Sequence, residues 1–306
     1  MLDLEITDDH HCYRSQLTAR SARSFQTIII SMTTERSAKP PNERLMCILD
    51  FDETITERDS SEWVAEQLGY ANLFKDLRDD GMAWHDAMNY VLGLSHSTGT
   101  SISAIQYALW NIPLHPNIVP TLKLAHERGC ELRILSDANT FFIDTVLQHH
   151  GIRGIFTGVH SNPAWIDNKG QLQYTALANA NYARPSVSAN NNPYNENFPP
   201  MMMMPPHSCP HCPPNLCKGA VLDAILSLRL NHAFSHADNA TLKVVYVGDG
   251  SGDYCPSLRL RAHDVALPRK GYLLDKLLYH NSPIVAAQVQ PWTSLSLALH
   301  HSILAL

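Results

Sequence analysis

No apolar run in the 306 residues approaches the ~20 that a helix needs to cross a bilayer, which argues against a membrane span. The apolar patch near the start, Thr27 to Met32, is too short for a signal-peptide core, and the stretch from Met1 to His11 is acidic rather than basic. A basic stripe is also lacking. With a net charge of −6 and no aromatic residues interleaved among lysines and arginines, the chain offers nucleic acid no electrostatic footprint. Cysteine is scarce and odd in number, seven in a long chain, which points to reduced thiols and not to a disulfide framework. The chain therefore reads as cytoplasmic, with an organellar transit peptide at its start as the alternative. What is present is ordinary for a globular protein: 44% apolar and 17% charged residues, enough for one large domain or two modest ones.

Residues 1 to 43 mix Ser, Thr, Arg and Asp without period and read as a disordered extension. Leu45-Met46-Cys47-Ile48-Leu49 then forms a short continuous apolar run, the pattern of a buried strand. Residues 60 to 128 read as helices. Ser60 and Ser101 are suitable N-caps, Pro116 sits where another helix can begin, and Gly129 stops it. This helical stretch, 59–115, suits a small cap over the strand ends, inserted into a core made of 44–58 and 116–306. Glu131 to Leu135 is a second strand, followed by a helix through Phe142, Ile143, Val146 and Leu147 that stops at Gly151. Short strands flank the turn Asn168-Lys169-Gly170. From 176 to 206 Asn, Pro and Met dominate without period, as in a flexible loop. Lys218 opens a helix, Val244 to Val247 is a third core strand, and Trp292 to Leu306 resembles an amphipathic helix. Strands alternating with helices imply an α/β fold with a parallel, doubly wound sheet.

Each strand ends in polar residues: Asp50 and Asp52, Ser136 and Asp137, Asp249 and Asp253. Each has an ordinary reading. Asp50-Phe51-Asp52 suits a solvated turn, Asp137 a helix cap, Lys218 a surface lysine, Gly248 to Gly252 a bend. Their conjunction suits one job. Side chains alternate along an extended backbone, so Asp50 and Asp52 share a side, and two carboxylates that close call for a cation or a shared proton. The crevice beyond the strand C-termini is where open α/β sheets bind ligands. Phosphoryl transfer through a carboxylate needs these groups: hard oxygen ligands for Mg²⁺, a carboxylate nucleophile, a second carboxyl to move the proton, hydroxyl and N–H donors, and a fixed cation for transition-state charge.

In this order Asp50-Phe51-Asp52-Glu53-Thr54, Ser136, Lys218 and Gly248-Asp249-Gly250-Ser251-Gly252-Asp253 resemble the four motifs of haloacid dehalogenase superfamily phosphatases. Ser136 to Phe141, His207-Ser208-Cys209, Cys212 to Lys218 and Gly252 to Leu258 resemble the phosphoethanolamine/phosphocholine phosphatases. Ile112 to Pro116 and Pro268-Arg269-Lys270 are most similar to the plant members, among them pyrophosphatases and thiamine monophosphate phosphatases. The resemblance implies a Rossmann-like core and a Mg²⁺-dependent phosphatase of small phosphorylated metabolites. Asp50 would be the nucleophile and Asp52 the acid/base. Asp50, the Asp52 backbone carbonyl and Asp249 would hold the metal, with Asp253 in support. Thr54, Ser136 and Lys218 would hold phosphate or nucleophile, with Asp137, Ser61 and Glu62 near the substrate. Relatives usually carry an acid at the position of Ser61, and Glu62 stands next to it. Phosphoethanolamine and phosphocholine are the expected substrates; pyrophosphate, thiamine monophosphate and pyridoxal phosphate are the alternatives. A catalytically silent binding protein on the same scaffold is the alternative of another class.

His207, Cys209, His211, Cys212 and Cys217 also cluster. One Cys-x2-Cys half without a second pair favours packing and local hydrogen bonding over a zinc site or a redox pair.

Overall fold

The computed structural model describes residues 43–177, 207–235, 241–280 and 284–304. All of them fall within one compact unit, Asn42–Leu304. The proposed extension 1–43, apart from Glu43, which opens the first strand, and most of the loop 176–206 lie outside the described residues.

Strand β1, Glu43–Leu49, carries five successive apolar residues from Leu45 to Leu49, each no more than 4% exposed. Alternation is absent because both faces are covered, the condition of a central parallel strand. On one side β1 pairs with β2, Glu131–Asn139, and on the other with β6, Thr241–Gly248. With β3 (Phe156–Asn162), β7 (Val265–Pro268) and β8 (Gln288–Val289), the sheet has six strands in the order β3-β2-β1-β6-β7-β8, all parallel. The chain builds outward on one side of β1 and then returns to build the other, so the order reverses between β1 and β6. The expected doubly wound α/β sheet is present, and its switch point opens a crevice where β1 and β6 end.

Four helices fill the connection after β1: α1 (Ser60–Gln67), α2 (Ala71–Asp79), α3 (Trp84–Ser97) and α4 (Ile102–Trp110). Val64, Ala87, Met88, Val91, Leu92, Ile105 and Leu109 are buried among them. Trp63 donates from its indole to the Ala108 carbonyl at 2.7 Å, tying α1 to α4. Helix α5, Ile118–Glu127, leads to β2, and α6, Thr140–His149, leads to β3. The hairpin β4 (Ala164–Ile166) and β5 (Leu172–Tyr174) turns at the expected place. Asn89 of α3 pairs with the Tyr174 backbone like a third strand, donating to its carbonyl at 2.6 Å and accepting its N–H at 3.1 Å.

Helices α7 (Lys218–Ser235) and α9 (Leu273–His280), with the short α8 (Tyr254–Ser257) between them in the chain, flank the sheet beyond the switch point. Val221, Leu222 and Ile225 of α7 and Leu274 and Leu278 of α9 share one core with Met46, Ile48, Val244, Tyr246 and Ala266 of the strands. Each such side chain contributes about 1.5–3 kcal/mol by leaving water. Ala176 and Leu177 are buried too, Leu177 in this core, so these two residues of the expected loop 176–206 are packed against the domain.

Several helix ends differ from the sequence expectation. Asp59, not Ser60, caps α1, accepting the N–H groups of Ser61 and Glu62. Asn139, not Asp137, caps α6. Asn117, in a left-handed conformation with φ 61°, precedes α5, one residue beyond Pro116. The C-terminal helix α10 is short, Leu295–Leu299, and runs into a wide turn, His300–Leu304. Among the described residues no helix is long and apolar enough to cross a membrane.

His160 of β3 gives the fold a pH dependence. Burial, reinforced by the Arg133 guanidinium, pushes its pKa from 6.5 down to about 4. The unfolded chain takes up this proton first, so stability is lost as pH falls below about 6.5 and the loss ends near 4. Against a His160→Gln variant, the wild type should lose on the order of 3 kcal/mol across that window in urea unfolding. Parallel curves would show that the ring does not titrate differently in the two states.

Candidate active site

The crevice at the switch point holds an acidic cluster around one lysine. Asp50 follows β1, and its N–H donates to the Val247 carbonyl at 2.9 Å, so the sheet ladder fixes its backbone. One carboxylate oxygen accepts the Phe51 N–H at 2.7 Å and the other accepts Lys218 Nζ at 2.6 Å. Lys218, the first residue of α7, is 1% exposed, which rules out the surface-lysine reading. Its Nζ also donates to Asp253 Oδ1 at 2.9 Å and lies 3.6 Å from Asp137 Oδ2. Burial alone would strip its proton; Asp253, Asp50 and Asp137 outweigh burial and hold it charged, well above the ordinary lysine range.

Asp253 is saturated. Oδ1 accepts Lys218 and the Tyr246 hydroxyl, the latter at 2.7 Å; Oδ2 accepts the N–H groups of Asp249 and Gly250, both at 3.1 Å. It braces the Gly248-to-Asp253 turn. Gly248 has to be glycine here, because a Cβ would stand 2.4 Å from the Asp253 carboxylate. Asp249 accepts the Thr54 hydroxyl at 3.1 Å. Asp137 accepts Asn215 Nδ2 at 3.2 Å, and burial raises its pKa against the pull of Lys218.

Three carboxylates therefore crowd one ammonium group, and a fourth, Asp249, lies close to two of them. Burial, with Asp253 beside it, lifts Asp50 to about 7 despite Lys218. Burial, then Asp50 and Asp253, lift Asp249 to about 9. Carboxyl oxygens of Asp50, Asp249 and Asp253 lie within 4.8 Å of one another. A hard divalent cation fits this donor set and would relieve the repulsion. Because Asp253 is already saturated, Asp50 and Asp249 are the oxygens best placed to be ligands.

β1 ends at Leu49 and the chain turns at 51–54, so the extended backbone expected to align Asp50 with Asp52 is absent, and Asp52 reaches toward the inserted helices. Its Oδ1 accepts the Ser60 N–H at 2.9 Å, at the positive end of α1. Burial, then Asp59 and Asp50, hold its pKa well above the carboxylate range. Ser136 ends up 1% exposed near the end of β2, its oxygen accepting the Ala138 N–H at 3.2 Å, which leaves the hydroxyl proton to donate. Ser61 is buried and hydrogen-bonded to Tyr174. Glu62 is exposed and lines a cavity of about 350 Å³ with Arg58, Glu66 and Trp84, away from the crevice.

Four residues escaped the sequence reading. Tyr246 hides in an apolar strand. Asn215 sits between two cysteines. Asp59 lies beside Ser60, which competes with it as a cap. Arg269 belongs to the noted Pro-Arg-Lys motif; it donates to the Glu53 carbonyl at 2.6 Å and lies over the Tyr272 ring, 4.2 Å from its centroid. That bond holds the turn at Glu53, whose φ of 51° is strained for a side-chain-bearing residue.

A family model described as "Putative Phosphatase" matches residues 45–305. The chain belongs to this phosphatase family. It is 38% identical over 252 residues to "Inorganic pyrophosphatase 2" of Arabidopsis thaliana, covering 82% of this chain and 80% of that one. It is 34% identical over 251 residues to a "Thiamine phosphate phosphatase-like protein" of the same plant, covering 82% and 91%. With "Pyridoxal phosphate phosphatase PHOSPHO2" of Bos taurus it shares 28% over 258 residues, covering 82% and 94%. The chain is thus a phosphatase, that is, a hydrolase of phosphate esters or anhydrides.

Proposed function

We propose that this phosphatase hydrolyses small phosphomonoesters through a phosphorylated Asp50, with phosphoethanolamine and phosphocholine as its first substrates. The observation that carries the chemistry is the buried Lys218–Asp50 contact of 2.6 Å inside an excess of carboxylates. Bound Mg²⁺ would neutralise phosphoryl oxygens; Asp50, the Asp52 carbonyl and Asp249 would hold it, with Asp253 behind them. The Asp50 carboxylate attacks phosphorus as the ester P–O bond breaks. Asp52, kept protonated by its surroundings, gives its proton to the leaving oxygen. Asp52 then takes a proton from water, whose oxygen attacks phosphorus and releases phosphate from Asp50. Lys218 orients Asp50, and Ser136 and Thr54 donate to the site's oxygens.

Asp59 supports a cationic leaving group. Its carboxyl acts on Asp52 electrostatically, is raised by burial to about 7, and would be stabilised as an anion by an amine or quaternary ammonium. It supplies the acid that Ser61 does not. Pyrophosphate, an anion throughout, gains nothing from it. The pyrophosphatase relative favours that second reading. A kcat/KM panel with Mg²⁺ over phosphoethanolamine, phosphocholine, thiamine monophosphate, pyridoxal phosphate and pyrophosphate separates the two. The first two esters should lead, and Asp59→Asn should lower them by about tenfold while sparing pyrophosphate. Pyrophosphate leading the panel, untouched by Asp59→Asn, would assign the enzyme to the second reading.

A further inference from the structure

We propose that Cys209, Cys212, Cys217 and Cys255 form a structural zinc site beside the acidic crevice. Their four sulfurs lie within 4.8 Å of one another, and all four are free thiols. The Cys255 sulfur is 3.6 Å from that of Cys209 and 4.0 Å from that of Cys217. Four thiolates around zinc at about 2.3 Å span tetrahedral edges of about 3.8 Å. The two Cys255 spacings bracket that length, and all the sulfurs are close enough for a small closure around one ion to complete the tetrahedron. Neither nearby histidine joins them: His207 Nδ1 accepts the Cys209 N–H at 3.3 Å, and the His211 ring meets Tyr254 edge to face at 5.3 Å.

The surroundings suit thiolates. Arg259 Nη2 donates to the Cys255 sulfur at 3.8 Å, and the Ala220 backbone N–H donates to that of Cys217. Such outer donors orient metal-bound ligands and offset their charge. Gly219 clears the space: a Cβ there would lie 2.4 Å from the Cys255 sulfur. The segment from His207 to Cys217 contains no helix or strand and three prolines, and Leu216 and Cys217 are its only fully buried side chains, so apolar packing does little to hold it. Soft sulfur ligands in a tetrahedron select Zn²⁺ over the oxygen-seeking Mg²⁺. On binding, one Zn²⁺ replaces four thiol protons, leaving a centre of charge −2 next to Arg259. Cys217 immediately precedes Lys218, and Cys255 follows Asp253 by two residues. The metal would thus clip the start of α7 to the Asp253 turn and hold the 2.9 Å Lys218–Asp253 contact.

The full chain, purified without chelator from zinc-replete cells, should carry about one zinc per chain. Replacement by Co²⁺ should give the visible bands and sulfur-to-metal charge transfer of a tetrathiolate centre. Cys209→Ser and Cys212→Ser, both partly exposed, should each cut zinc content by about tenfold. Asp249→Asn, which alters the crevice alone, should keep the zinc. Less than about one zinc per several chains, a disulfide among the four, or full zinc retained in the Cys209→Ser/Cys212→Ser double variant would overturn the proposal.

Discussion

Asp50→Asn is expected to lower kcat by about 10⁴-fold or more on every phosphate ester the enzyme accepts, while leaving the protein folded. Asparagine keeps the shape of the side chain, but its single oxygen can accept from only one of the two donors that Asp50 meets, the Phe51 N–H and Lys218, whose ammonium keeps Asp253 and Asp137 as partners. What it loses is the anionic oxygen that attacks phosphorus. The fold should not suffer, because the substitution also removes one like charge from the neighbourhood of Asp249 and Asp253, whose repulsion Asp50 shares. Thermal unfolding should therefore show a Tm equal to or above that of the wild type. Activity of Asp50→Asn within about tenfold of wild type, in a folded sample, would remove Asp50 from the chemistry.

Lys218→Met acts on stability as strongly as on rate. Methionine fills the buried volume but leaves Asp50, Asp137 and Asp253 without the ammonium group that faces all three. Breaking a buried ion pair by deleting one partner costs about 3–5 kcal/mol, most of it from the charges left behind. The cost should shrink at acidic pH, where the stranded carboxyls can bind protons instead. Turnover should fall by about 10²–10³-fold even at temperatures where the variant is folded. Urea unfolding gives the first number and steady-state kinetics the second. A variant as stable as wild type at neutral pH would mean that the three carboxyls are already protonated in the folded protein.

Features with a local signature could be read from the sequence. β1 was legible because five apolar residues run without interruption, and burial on both faces is what such a run means. The acids at the strand ends were legible by position, and their roles by motif order. Caps were harder, since Asp59 and Ser60, or Asp137 and Asn139, are both competent and stand within two residues of each other; tertiary contacts decide between them. Asp137 is drawn to Lys218 and Asn215, which leaves Asn139 to cap α6. β7 and β8, of four and two residues, are too short to show a period. Cys255 lies beyond α7 and β6 from Cys217, so no local spacing could supply the fourth sulfur. Tyr246 reads as one more apolar strand residue until its hydroxyl is seen on Asp253.

In the proposed mechanism phosphate passes through Asp50. Acid quenching during turnover, reduction with borohydride and peptide mapping test it directly, because an acyl phosphate is reduced to an alcohol whereas a free carboxylate is not. Homoserine is expected at position 50 in the wild type, and none in Asp50→Asn. Reduction at another carboxylate, or none at all in an enzyme quenched at full turnover with a product-forming step known to be slow, would contradict it.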